Sequence, residues 1–219
     1  AILLVTEIAT SSLGFANFTL TKDGIYYVPN TSITPQTLFY VPKIRATPVV
    51  IDRADTIDIT SGGQAFINNQ YIYYSKSTKV ANTTEYTATV RDAHGNLIAE
   101  YLDARWNGSI VKNPTQIQTN TGYVILQRNI SKAINRLPGS TLESIDFTSN
   151  QYIAQLGHLP IGVTTVSVTG LGPLTMLTGH VEDDIGNSTT DLFFINATQP
   201  NSLSRVTNTA DVNEFIITN

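Results

Sequence analysis

Residues 85–102 read EYTATVRDAHGNLIAEYL, and this stretch decides the fold class. Two runs rich in β-branched and aromatic residues, Glu85–Arg91 and Leu97–Leu102, flank a short polar turn. An Asp such as Asp92 accepts hydrogen bonds from turn amides, and Gly95 followed by Asn96 tolerates positive φ. The stretch therefore predicts a tight β-hairpin.

Runs of the same kind recur along the chain, separated by turns that contain Gly, Asn or Pro. Besides the two strands of the hairpin, the predicted strands are Phe15–Thr21, Ile25–Val28, Thr37–Val41, Pro48–Asp52, Thr56–Thr60, Tyr71–Ser75, Gly122–Gln127, Leu142–Phe147, Gly162–Val168, Leu174–Glu182, Thr190–Ile195 and Glu214–Thr218. Only Ile130–Leu137 indicates a helical turn or two. We predict an all-β chain with one or more Ig-like or pilin-like β-sandwiches.

The hairpin turn has an internal echo. Val-x-Asp-x-x-Gly-Asn stands at residues 90–96 and again at residues 181–187. This turn resembles the hairpin near the end of bacterial Ig-like surface domains, and the spacing is close to the size of one such domain. We therefore expect a sandwich over residues 15–113, and over residues 114–219 either a second sandwich or the continuation of one larger β head.

Composition excludes several classes of protein. Charged residues make up 14% of the 219 residues and the net charge is −4, whereas a nucleic-acid-binding domain is usually basic. The chain has no Cys, which excludes disulfides, thiolate catalysis and Cys-ligated zinc. Uncharged polar residues replace the charged ones, above all 31 Thr and 18 Asn. We expect no nucleic-acid partner.

The chain opens with Ala1 and an apolar run without an initiator Met, and no basic residue precedes Lys22. We expect Ala1 to be a processed terminus left by a cleaved signal peptide. The run is shorter than a membrane helix, so we expect no membrane-spanning segment in the mature chain. Its length suits a β-strand, which is either the first strand of its own domain or a donor strand on a tail of residues 1–14. The donor candidates are Ile2, Leu3, Leu4, Val5 and Ile8.

Seven Asn-x-Ser/Thr sequons occur, about twice the number that this composition gives by chance. They lie at Asn17, Asn30, Asn82, Asn107, Asn129, Asn187 and Asn196. Asn30, Asn82 and Asn107 fall in predicted loops, where an acceptor is accessible. We expect N-linked glycans at several of these sites and no other cofactor.

The signals for catalysis and for metal binding are weak, and we predict neither. His94, His158 and His180 are far apart in the sequence and lack metal-ligand spacing. The carboxylates at 52, 55 and 58 would alternate between the faces of a strand, and the EF-hand pattern is absent. The tyrosines at 71, 73 and 74 are more typical of cross-strand packing than of a sugar-binding face.

The apolar tail, the Asn- and Thr-rich β character and the sequon set together resemble the thread subunits of thermoacidophilic archaea. This resemblance implies a glycosylated, secreted protein of the cell surface. It also implies head-to-tail polymerisation of identical subunits, in which the N-terminal strand of one subunit enters the next. The alternatives are an S-layer or adhesin Ig-like module, a secreted carbohydrate-active enzyme and a viral coat protein.

Overall fold

The computed structural model describes residues 17–21, 23–29, 33–42, 47–59, 66–67, 70–112, 121–135, 137, 139–182 and 188–207. The chain divides into two compact units, Ala1–Leu102 and Asp103–Asn219, called unit 1 and unit 2 below. The boundary lies 11 residues before the expected one between 113 and 114. It differs because the residues after Leu102 form a strand of unit 2 that the sequence patterns did not predict.

Unit 1 contains two antiparallel sheets. The first is a meander of four strands in chain order: β1 (Asn17–Leu20), β2 (Gly24–Val28), β3 (Gln36–Pro42) and β4 (Val49–Ala54). The second contains β5 (Thr56–Asp58), β6 (Phe66–Ile67), β7 (Tyr71–Val80), β8 (Thr83–Asp92) and β9 (Leu97–Leu102). Its order is β5-β7-β8-β9, and β6 also pairs with β7.

The core of unit 1 lies between these two sheets, which makes the unit a β-sandwich. Alternate residues of the first sheet, such as Tyr26, Leu38 and Tyr40, form one buried cluster with Ile72 and Tyr74 of the second. Tyrosines in the core need hydrogen-bond partners. The Tyr26 hydroxyl donates to the Asp92 carbonyl oxygen at 2.9 Å.

Unit 2 contains one sheet of eight strands and a short helix. The elements are β10 (Ala104–Val111), β11 (Gly122–Arg128), α1 (Ile130–Ile134), β12 (Thr141–Asp146), β13 (Gln151–His158), β14 (Val163–Leu171), β15 (Leu174–Glu182), β16 (Ser188–Asn196) and β17 (Ser204–Arg205). The strand order is β13-β12-β11-β10-β14-β15-β16-β17. All neighbours are antiparallel except β10 and β14, which pair in parallel.

The sheet of unit 2 rolls onto itself, because its distant strands share one core. Leu142 of β12 and Leu156 of β13 belong to the same buried cluster as Leu177 of β15 and Phe193 of β16. The residues after β16 then pair with β13: the amides of Asn201 and Leu203 donate to the carbonyls of Gln155 and Leu156 at 2.9 and 2.8 Å.

The structure therefore confirms the all-β prediction, with α1 as a single short helix among the described residues. It adds β6, β10, β13 and β17, which the sequence patterns did not predict. The predicted strand Glu214–Thr218 and the tail of residues 1–14 lie outside the described residues.

Candidate interaction surface

The hairpin of residues 85–102 forms as predicted and joins β8 to β9. One Asp92 carboxylate oxygen, Oδ1, accepts from the amides of His94 and Asn96 at 2.9 and 2.8 Å. Gly95 has φ of 94°, a conformation that favours glycine. The echo at residues 181–187 lies largely outside the described residues.

A polar cluster links the two sheets of unit 1 beside this hairpin. We call it the Asp52 clasp, and it consists of Asp52, Tyr74, Lys76, Arg91 and Glu100. The Asp52 Oδ2 atom accepts from the Tyr74 hydroxyl at 2.6 Å and from Lys76 Nζ at 2.9 Å. Lys76 Nζ also donates to Glu100 Oε1 at 2.7 Å, and Arg91 Nε donates to the Tyr74 hydroxyl at 2.8 Å.

The side chains of the clasp stay charged because each charge has an opposite charge or a hydrogen-bond partner beside it. Burial alone would raise the pKa of Asp52, but the hydrogen bonds from Tyr74 and Lys76 outweigh it, and the pKa lies below its ordinary value. Burial would lower the pKa of Lys76, but its bonds to Glu100 and Asp52 hold that pKa above its ordinary value. Burial, with the nearby Asp52 charge, raises the pKa of Tyr74. The clasp is therefore a neutralised ionic bridge between two sheets.

Beside the clasp, β9 exposes large apolar side chains. Leu97, Ile98 and Leu102 are 51%, 46% and 76% exposed, and we call these three residues the β9 shelf. Among the described strands, β9 lies at the end of its sheet, so no described strand pairs with its outer edge. Exposed apolar edge strands invite pairing with another strand.

The register shows which way the β9 shelf faces. Leu102 pairs with Thr87 of β8, and Thr87 pairs with Lys76 of β7, which reaches Asp52 on the first sheet. Leu97 pairs with Arg91, which also contacts Asp52. Since paired residues share one face of a sheet, Leu97 and Leu102 lie on the face turned toward the first sheet.

The first sheet ends at β4 on this side of unit 1. β4 is the last strand in its order, and Val49 and Val50 on it are about half exposed. Asp52 on β4 reaches β7 and β8 of the opposite sheet. The described part of the first sheet thus stops before β9, and we call the region between the edge of β4 and the β9 shelf the notch.

The five described sequons differ in accessibility. Asn82 is exposed in the turn between β7 and β8, whereas Asn107 is 2% exposed and donates from Nδ2 to Gln127 Oε1 at 2.7 Å. The predicted loop at Asn107 is wrong, because this residue lies inside β10, and a buried Nδ2 is a poor glycan acceptor in the folded unit. Asn129 and Asn196 are half-buried. Asn17 begins β1, and Asn30 and Asn187 lie outside the described residues.

The other candidate residues have separate structural partners or places in the described part of the chain. Tyr73 and Tyr74 are buried, which agrees with packing, and Asp52 belongs to the clasp. Asp55 accepts from the Lys79 amide at 2.5 Å. The described part of the chain holds no cluster of three or more His, Asp or Glu side chains that suits a metal ion.

The sequence patterns did not predict the partners in the Asp52 clasp or the β9 shelf. Lys76, Arg91 and Glu100 stand in separate strands, and only the register brings them onto one face. A signal was present, because charged residues in strongly β-forming runs mark either a solvent face or paired positions. The donor residues Ile2, Leu3, Leu4, Val5 and Ile8 lie outside the described residues, so their role stays a prediction.

Comparison with known proteins gives little further guidance. No protein family model matches the chain, and no curated protein matches it. Among solved structures it is similar to the crystal structure of TolB from Acinetobacter baumannii, with a TM-score of 0.35 and 11% identity over 87% of this chain. The match spans 43% of that chain, and a likeness of this size carries no argument about function. Across the described residues, no helix has the length and apolar character that crossing a membrane requires.

Proposed function

We propose that this protein is a structural subunit of an extracellular filament. Identical subunits polymerise head to tail, each inserting its N-terminal strand into the next. The filament serves adhesion to surfaces or biofilm formation, carries N-linked glycans and needs no enzymatic activity.

One observation supports the proposal most. Unit 1 exposes an apolar shelf beside two strand edges, and the sequence begins with an apolar segment of strand length. An added strand satisfies backbone groups by ladder hydrogen bonds while its side chains cover an apolar surface. Each buried aliphatic side chain contributes roughly 1.5–3 kcal/mol, so a few of them with the ladder give a long-lived joint.

This kind of joint leads to open-ended growth. Each subunit gives a strand from one part of its surface and receives one at another, so the contact is heterologous. Such contacts build a filament when the rotation between neighbours does not close a ring. Assembly then requires no cofactor or energy source.

The test is electron microscopy of the native secreted material, imaged before and after hot detergent. We expect thin unbranched filaments that persist. Flat lattices would instead indicate an S-layer, and dispersed particles an adhesin module or an enzyme. Closed shells would indicate a viral coat protein.

A substitution then connects the filaments to the tail. Leu4→Asp puts a charge on the donor segment and should abolish polymerisation while both units remain folded. Leu174→Asp, at a position 55% exposed on β15, is the matched control and should leave filaments intact. Filaments formed by Leu4→Asp at the wild-type level would contradict the donor-strand proposal. A Leu4→Asp variant that fails to fold would make Leu4 a core residue of its own domain.

A further inference from the structure

We infer that the acceptor of the N-terminal strand is the notch of unit 1 between the edge of β4 and the β9 shelf. Its occupant is the segment Ile2–Ile8 of a second copy of this chain. The segment extends the first sheet next to β4 and lays alternate side chains on Leu97 and Leu102. This inference rests on the proposed function and names the partner site that the function requires.

The geometry of the two sheets favours this position over other edges. A strand added next to β4 lies about 4.8 Å beyond it, and facing sheets are about 10 Å apart. Since Asp52 on β4 already contacts side chains of β7 and β8, a strand added next to β4 extends the first sheet toward β9. Side chains of the added strand then meet the β9 shelf, whose Leu97 and Leu102 face the first sheet.

The size and chemistry of the notch match the segment. β9 has six residues and is about 20 Å long, and seven extended residues span about 23 Å. Ile2, Leu4 and Ile8 point to one side of such a strand, so aliphatic side chains meet Leu97 and Leu102. Glu100 is the acidic group near the β9 shelf, and Lys76 neutralises it at 2.7 Å. An apolar strand therefore meets Glu100 as a neutralised ion pair.

The remaining edges of the described strands fit less well. β5, β6 and β17 have only two or three residues. The outer edge of β13 is occupied, because Asn201 and Leu203 donate to it. β1 is short, and it lies at the opposite edge of the first sheet from β4. Asn17, the first residue that the structure describes, begins β1 at that opposite edge, and its distance from the notch favours a second copy as the source of the added strand.

The absence of Cys from the sequence permits a direct test by cross-linking. Disulfides form only where two β-carbons come within about 4.5 Å. The full chain carrying Leu4→Cys and Leu102→Cys is oxidised and run on a denaturing gel without reductant. We expect a ladder of covalent dimers, trimers and longer species that collapses on reduction. The control pair, Leu4→Cys with Leu174→Cys, should remain monomeric.

Three results would overturn the inference. They are a ladder from the control pair equal to that from the test pair, no ladder from the test pair although filaments form, and a monomer of the test pair that is cross-linked within one chain. In the last case the tail covers the notch of its own subunit.

A second variant separates the acceptor from the proposed function. Leu102→Lys changes a side chain that is 76% exposed, so unit 1 should fold normally. It should reduce the yield of filaments by about tenfold or more, while Leu174→Lys leaves the yield unchanged. If Leu4→Asp abolishes filaments but Leu102→Lys does not, the acceptor lies elsewhere and the proposed function stands. If wild-type protein forms no filaments, the proposed function itself fails.

Discussion

The two units of this chain end their sheets in different ways. Unit 2 rolls its eight strands until the residues after β16 bond to the far strand β13. Unit 1 has two stacked sheets whose described edges at β4 and β9 pair with no described strand, and it exposes apolar side chains there. A closed sheet protects its backbone, whereas an open one offers hydrogen bonds and apolar surface to a partner. This difference is the reason that we propose unit 1, and not unit 2, as the acceptor of the donor strand.

The largest expected effect lies where unit 2 joins its two halves. β10 and β14 approach closely because Gly108 has φ of 136° and no side chain, and an added Cβ would lie near the Val168 carbonyl oxygen. Gly108→Val should destabilise unit 2 by about 4 kcal/mol or more. Fluorescence of Trp106, the single Trp and fully buried beside this position, follows the unfolding.

Gly172 provides the matched control for Gly108. It also has positive φ, 82°, but no atom lies within 4 Å of the position of an added Cβ. Gly172→Ala should therefore cost only the conformational strain, about 1–2 kcal/mol. Equal losses of stability in Gly108→Val and Gly172→Ala would show that strain, and not the close approach of β10 to β14, governs the junction.

The next prediction concerns the closure of unit 2. Leu203→Pro removes the amide that donates to Leu156, so one of the bonds covering the edge of β13 is lost. We expect the variant to lose about 1–3 kcal/mol of folding stability. It should also self-associate in a concentration-dependent way, because an exposed strand edge can pair with a strand of another molecule. Sedimentation at several protein concentrations measures this self-association. Leu203→Ala keeps the amide and should stay monomeric under the same conditions. Association of both variants alike would assign the effect to the leucine side chain.

How much the sequence could predict depends on the range of the interaction. The hairpin at Asp92 and Gly95 was predictable because its bonds join residues at most four apart. The clasp was not, because Asp52 meets Lys76 and Arg91 only after two sheets stack. β10 was missed because its pairing with β14 bridges distant residues, and its register shift at 106–109 breaks the alternation that identifies strands. The β9 shelf was not predictable either, because the face on which Leu97 and Leu102 lie depends on the register of β7, β8 and β9.

A smaller effect should distinguish the ionic bridge of unit 1 from a surface pair in unit 2. Asp52→Asn removes the carboxylate that faces the mostly buried Arg91 and leaves Lys76 with Glu100 alone, so it should cost about 1–3 kcal/mol. Asp146→Asn breaks a pair with Lys112, which is half exposed, and should cost less than about 1 kcal/mol. Near-ultraviolet dichroism of the tyrosines, eight of which lie in unit 1, follows the first variant. Equal losses of stability in the two variants would mean that the Asp52 clasp stabilises the fold no more than a solvent-exposed ion pair does.

The pH dependence of the clasp has a definite sign. Because the folded-state pKa of Asp52 lies below its ordinary value of 3.8, its stabilisation is complete above that value and is lost as pH falls through the folded-state pKa. The melting temperatures of wild type and Asp52→Asn should therefore differ at pH 7 and converge below about pH 3.8. A difference that persists in strong acid would show that the carboxylate charge is not what stabilises the sandwich.

The smallest effect on stability, and the cleanest contrast between the units, comes from two sequons. Asn82 is exposed at a turn of unit 1, whereas the side chain of Asn107 is buried in β10 and bonded to Gln127. A glycan linked to the Asn107 amide nitrogen would break that bond and force a sugar into packed protein, so in the native material Asn82 should carry glycan and Asn107 should not. Peptide mass spectrometry measures both sites. Asn82→Gln should remove the glycan mass and change stability by less than about 0.5 kcal/mol, as exposed surface substitutions do. A glycan found on Asn107 would require its attachment before β10 pairs with β11, and the folded unit would then have to differ around Gln127.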